Sequence, residues 1–121
     1  MYEPSISIVI PVYNSSAYLS LCLEAIRKQK YDHSKIELII VDAGSKDNTI
    51  EIAKKHGATF ILENPLKTGE AGKSVGVQHS SNEIIALIDS DNIIEDENWL
   101  HRMVQPFRDP MVAASEPWLY T

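Results

Sequence analysis

Residues 7–14 read SIVIPVYN, and residues 36–49 read IELIIVDAGSKDNT. Each begins as a run of Ile, Leu and Val and ends in turn residues. A short apolar run rich in β-branched residues and bounded by turn chemistry is a buried strand. The first strand is expected over Ser5–Pro11 and the second over Ile36–Val41. Between them the period changes. Leu19, Cys22, Leu23 and Ile26 stand at i, i+3, i+4 and i+7, one face of a helix over residues 16–29. Ser15 or Ser16 would cap its start, and Arg27, Lys28 and Lys30 suit the negative end of its dipole.

The alternation continues outward. Ser45 or Asp47 would cap a helix from Asn48 to Lys55, and Gly57 fits the residue just past it. A short third strand, Thr59–Leu62, leads into a loop over residues 63–70. Residues 71–80 form a helix despite Gly72 and Gly76, and Ile84–Ile88 is a fourth strand. Asp96 would cap a helix reaching Arg108, with Trp99, Leu100, Met103, Val104 and Phe107 as its apolar stripe; Met111–Ser115 is a fifth strand. Strands alternating with helices predict βαβ units and a mostly parallel sheet flanked by helices, a Rossmann-like α/β arrangement forming a single domain over residues 1–121.

Composition narrows the classes. The chain has 121 residues, 44% of them hydrophobic, a formal net charge of −6 and one cysteine. That is enough apolar material for a real core and too much for a disordered chain. No apolar run approaches the length of a membrane span, and no basic-then-apolar leader precedes the first strand. One cysteine forms no internal disulfide, which points to a reducing, cytoplasmic setting. The acidic balance argues against nucleic acid as a partner. The acids are also concentrated. Residues 89–97, DSDNIIEDE, hold five of them, and without these the protein would be close to neutral. Clustered carboxylates repel one another unless a cation or a helix end offsets them.

Ligands of open parallel sheets bind at the carboxyl ends of the strands. Here those ends carry Tyr13 after the first strand, Asp42 after the second, and Asp89 with Asp91 after the fourth. Asp89 and Asp91 are one residue apart, so an extended turn aims both the same way. Two such oxygen ligands hold Mg²⁺ or Mn²⁺ and leave room for water and phosphate oxygens; the alternative is a polar turn opening a helix. Tyr13 would stack on a base or cover the sheet edge, and Asp42 would accept hydrogen bonds from base or ribose or close a turn in the AGS loop. Other motifs fit less well. GEAGKS, residues 69–74, resembles a phosphate-binding P-loop, but Lys67 stands where the first glycine is required and ENPLKT separates it from its strand. A phosphoacceptor domain needs acids after the first strand, where this chain has PVYN. Cys22 belongs to the apolar helix face, and His33, His56, His79 and His101 lack metal-ligand spacing.

Four segments together resemble the amino-terminal half of family 2 glycosyltransferases: SIVIPVYN with Ile6 before it, LCLEAIRKQ at 21–29, IELIIVDAGSKDNT, and the stretch from Gly69 through IIALIDSDN with its D-x-D. The resemblance implies the GT-A fold, a nucleotide-sugar donor (usually a UDP-sugar), and a divalent metal, Mg²⁺ or Mn²⁺. Carried over by position, it puts Pro11, Tyr13, Asp42, Lys73, Asp89 and Ser90 against the donor, and Asp89 and Asp91 on the metal. It implies sugar transfer with inversion to a hydroxyl of a saccharide or lipid-linked acceptor, with peripheral membrane association or oligomerisation as possible settings. The family's general base lies in an acceptor-binding half that has no match after Phe107, so the chain is expected to be a fragment or truncated form. Ala43 replaces the second acid of the family's DD pair, Gly72 and Ser74 replace its usual Ala and Asn, and Asn92 follows the D-x-D. A non-catalytic nucleotide-binding module of the same fold remains the rival reading.

Overall fold

The computed structural model describes residues 2–116. Four strands, β1 (Ile6–Val12), β2 (Ile36–Asp42), β3 (Phe60–Glu63) and β4 (Ile84–Leu87), form one sheet in the order β3-β2-β1-β4. Every pairing is parallel, with Ile6 opposite both Ile36 and Ile84, and Ile39 opposite Phe60. The helices are α1 (Leu19–Arg27), α2 (Thr49–Lys55), α3 (Gly69–His79) and α4 (Trp99–Val104), with 3-10 turns at His33–Lys35 and Gln105–Arg108.

The two central strands are largely apolar because both of their faces are covered. Ile6, Ile8, Ile10 and Val12 of β1 pack with Leu38 and Ile40 of β2 against Leu19, Cys22, Leu23 and Ile26 of α1, Ala53 of α2, and Leu100 and Val104 of α4. On the other face Val9, Ile39 and Val41 meet Leu62, Ile85 and Val75, the last from α3. Gly72 and Gly76 are the two buried residues of α3. They weaken helix propensity in sequence, yet their missing side chains let α3 lie close on the sheet: a Cβ on Gly76 would fall 2.3 Å from Val9 Cγ1, and one on Gly72 would fall 3.0 Å from Pro11 Cβ.

Several boundaries differ from the sequence expectation. α1 starts at Leu19, not near Ser16, because Ser15 spends its carbonyl on a turn to Tyr18 and Leu19 while its hydroxyl is used elsewhere. Thr68 caps α3 by accepting the Ala71 N–H at 3.1 Å, so the helix begins inside the expected loop. Pro106 ends α4 at Val104 and the chain tightens into a 3-10 turn. The fifth strand at Met111–Ser115 does not form. Asp109 closes a turn on the N–H groups of Met111 and Val112, and Ser115 donates to the Met103 carbonyl at 2.7 Å, which holds the segment over α4.

Two buried polar residues fasten the layers. Gln29 donates to the Asp96 carbonyl at 2.7 Å and accepts the Leu100 N–H at 3.0 Å, tying the end of α1 to the start of α4. Ser7, inside an apolar run, donates to Glu37 at 2.9 Å and accepts from Asn82 at 3.1 Å; Glu37 also takes the Ser81 N–H and hydroxyl. Burial raises the Glu37 pKa, but these hydrogen bonds outweigh it and hold the carboxyl below its ordinary value.

Candidate functional site

β1 keeps its pairing with β2 through Val12, but its pairing with β4 ends at Val9. The sheet therefore splits at the carboxyl end between β1 and β4, the point where successive connections turn to opposite sides. Pro11 lies beyond the last β4 pair, where its missing N–H costs no ladder bond on that side.

Two loops are laced together over this end. Asn14, at a left-handed φ of 46°, donates its N–H to Ser45 Oγ at 2.8 Å and accepts the Lys46 N–H at 2.8 Å. Ser15 N–H reaches Thr49 Oγ1 at 2.8 Å and Ser16 N–H reaches Asp47 at 3.2 Å. The Thr49 hydroxyl above all, with Ser16 and the Thr49 N–H adding to it, outweighs the opposing effect of burial and holds the Asp47 carboxyl down to about 2. Asp42 is buried and accepts from Gly44 N–H at 3.1 Å, Ser45 N–H at 3.0 Å and Ser45 Oγ at 2.5 Å. In this arrangement it closes the AGS turn, and Gly44 supplies the φ of 98° the turn needs. Tyr13 stands 59% exposed above the edge, held through its backbone N–H to Ser15 Oγ.

Asp89 and Asp91 follow β4. Asn92 closes their turn, taking the Asp89 N–H on its side chain at 3.1 Å and giving its own N–H to the Asp89 carbonyl at 3.0 Å. Both carboxylates are exposed, and neither accepts a hydrogen bond or ion pair from another described residue. Ser90 donates to Ser15 Oγ at 3.2 Å, joining this turn to the first loop. Beneath, the buried Cys22 Sγ lies 3.7 Å from the Asp89 carbonyl. Burial first, then Asp91 and Asp89, push that thiol up to about 11. No group of three or more His, Cys, Asp or Glu side chains converges among the described residues. A divalent metal at this edge would thus have two carboxylates from the chain and take its remaining oxygens from water and phosphate, a donor set that suits Mg²⁺ or Mn²⁺.

A cavity of about 170 Å³ opens beside β1, bounded by Pro11, Val12, Tyr13, Ala43, Asn64, Lys67, Thr68 and Gly69. Of the residues expected from sequence, Pro11 and Tyr13 border it. Asp42 sits just behind Ala43, while Asp89, Ser90 and Asp91 lie outside its wall. Lys73 is on α3, half-buried and 3.4 Å from Glu70, and does not line it either. Asn64 and Lys67 are the residues that the sequence reading missed. Asn64 follows a strand end, which is a weak signal; Lys67 has no sequence signal at all.

The parallel sheet with its strand-end loops is the GT-A fold of glycosyltransferases. The family model described as Glycosyl transferase family 2 matches residues 7–119, and the chain belongs to that family. It is 35% identical over 106 residues to the glycosyltransferase AglE of Haloferax volcanii, covering 84% of this chain and 34% of that protein. It is 37% identical over 109 residues to the glycosyltransferase GlyG of Streptococcus pneumoniae, covering 86% of this chain and 35% of that protein. The chain thus spans about a third of the length of these relatives. Among solved structures it resembles the mannosyltransferase PcManGT of Pyrobaculum calidifontis in complex with GDP-Man and Mn²⁺, with a TM-score of 0.84 at 23% identity over 93% of this chain and 34% of that one. It also resembles S. aureus TarS in complex with UDP, with a TM-score of 0.74 at 24% identity over 88% of this chain and 32% of that one. No helix among the described residues is long and apolar enough to cross a membrane.

Proposed function

We propose that this chain is the donor-binding part of a cytoplasmic hexosyltransferase that takes a nucleoside-diphosphate sugar, a UDP-sugar first, and passes the sugar with inversion to an acceptor hydroxyl on a saccharide or lipid-linked substrate. The observation that carries the reading is the convergence of Tyr13, Asp42 and the Asp89–Asp91 pair on one split sheet end, with two acids there left unengaged. Asp89 and Asp91 would hold the divalent metal, which when bound supplies positive charge against the departing diphosphate. Tyr13 offers its exposed ring to the base, and the laced loops keep Tyr13 and Asp42 from having to order on binding. Ser90, tied to Ser15, fixes the acid turn relative to the first loop. Transfer also needs a base within hydrogen-bond reach of the acceptor hydroxyl. We assign none within residues 2–116, and with Ala43 in place of an acid this favours, as second reading, a binding module without turnover of its own.

Calorimetric titration with UDP and MnCl₂ tests the reading. The chain should bind UDP, and Asp91→Ala should weaken Mn²⁺-dependent binding at least about tenfold with the fold intact, the scale of one lost charge-assisted contact. A chain that binds no UDP with Mn²⁺ present refutes it.

A further inference from the structure

Lys67 is one of two described non-glycine residues with a positive φ, at 59°. Lysine has no local reason to adopt a left-handed backbone, so the surroundings must impose it. They do so through Asn64, which is 3% exposed. The Lys67 N–H bonds both the Asn64 carbonyl at 3.2 Å and its side-chain oxygen at 3.1 Å. Asn64 in turn gives its N–H to the Asp42 carbonyl at 2.8 Å and its side-chain amide to the Thr68 carbonyl at 2.7 Å. One buried residue, through its backbone and its side chain, thus joins the end of β2, the Lys67 turn and the cap of α3. Non-glycine residues forced into such conformations concentrate at ligand clamps.

The imposed turn sends the Lys67 side chain across the site. Its Cε and Nζ lie over Gly44, each 4.0 Å from where a side chain on that glycine would begin. The ammonium makes no ion pair or hydrogen bond with another described residue, whereas Lys73 is paired with Glu70. It shares the small cavity with Tyr13 and Ala43, and that wall contains none of Asp89, Ser90 and Asp91. A nucleotide whose diphosphate lay at Asp89 and Asp91, outside that wall, would bring its base end and not its phosphates to Lys67.

We infer that Lys67 is a donor-binding residue that selects the nucleobase, its ammonium donating to a ring carbonyl oxygen while the ring lies along Tyr13. This rests on the nucleoside-diphosphate reading above. An ammonium donates and never accepts. It therefore favours uracil, with two carbonyl oxygens, over adenine, which has none, and the small cavity suits a single ring.

The test compares the chain with its Lys67→Asn, Lys67→Gly and Lys67→Arg variants by calorimetry against uridine, UDP and ADP, with Mn²⁺ present. Asn tolerates the left-handed backbone and Gly relaxes it, so both remove the charge while sparing the turn. Both should weaken uridine and UDP by the same factor, about tenfold, and narrow the preference for UDP over ADP; Arg should retain most of the affinity. Asp91→Ala should weaken UDP and leave uridine unchanged. Uridine affinity unaltered in folded Lys67→Asn and Lys67→Gly overturns the assignment alone, as does a loss confined to UDP, which would make Lys67 a phosphate contact. A chain that binds neither uridine nor UDP overturns both this inference and the reading beneath it.

Discussion

Gly76→Ala tests how α3, which leads out of the Asn64–Thr68 turn, is seated on the sheet. A Cβ built on Gly76 lies 2.3 Å from Val9 Cγ1, 3.0 Å from Cγ2 and 3.2 Å from Cβ. Carbon atoms rest at about 3.5–4.0 Å, so one partner must retreat by more than about 1 Å. Val9 has little room to do so: it is fully buried on a central strand, between Ile39 of β2 and Leu87 of β4. Two effects oppose each other. Alanine is favoured over glycine inside a helix by about 1 kcal/mol. Overpacking a well-filled site costs about 1–3 kcal/mol, and a branched side chain on a strand paired on both sides puts this case at the upper end. The expected net loss is about 1–2 kcal/mol, measured as a lower urea midpoint with an unchanged slope. Gly69→Ala, at the start of the same helix with nothing within 4 Å of its Cβ, is the control and should leave stability equal or higher. In the Val9→Ala background Gly76→Ala should cost at least about 1 kcal/mol less than in the native sequence. Gly76→Ala as stable as the parent, or costs that simply add, would refute the packing argument.

Two further expectations concern titrating groups. Glu37 and Asp47 both have carboxyls held below their ordinary values, Asp47 moving from 3.8 to about 2. A depressed folded pKa gives stability that is present above the unfolded pKa and lost as pH falls through the folded one. The urea midpoint should therefore fall as pH drops from about 4.5 toward 2, and Glu37→Gln should flatten the upper part of that fall; an unchanged profile in the variant would remove Glu37 from the account. Cys22 is fully buried and its thiol is pushed up to about 11. It should resist a thiol reagent at pH 8 in the native chain and react at once in urea, and rapid native labelling would contradict the burial.

Much of the fold was legible because periodicity survives without tertiary context. The apolar runs around Ile8, Ile39 and Ile85 became strands, and the Leu19–Ile26 stripe became α1. Tertiary contacts overruled local signals elsewhere. Met111–Ser115 has strand composition, but the Asp109 turn and the Ser115 bond to Met103 hold it over α4. The Ser15 and Ser16 cap was expected from residue type, yet Ser15 Oγ serves Tyr13 and Ser90 instead. The placement of Tyr13, Asp42, Asp89 and Asp91 at the carboxyl end of the sheet was legible because each ends a strand or follows one within a few residues. Asn64 and Lys67 were not, because their part depends on a backbone twist and a crossing over Gly44 between segments more than twenty residues apart in sequence.

By itself the sequence determined the family, the parallel order of its units and the acids at the strand ends, since these follow from short-range pattern and motif spacing. Only the tertiary structure decided that Asp42 is engaged in its own turn while Asp89 and Asp91 accept no hydrogen bond from another described residue, and that the Lys67 side chain crosses over Gly44 at the small cavity. The physical reason is that a hydrogen bond or an uncompensated charge is a relation between distant residues, which the types of the residues alone do not contain.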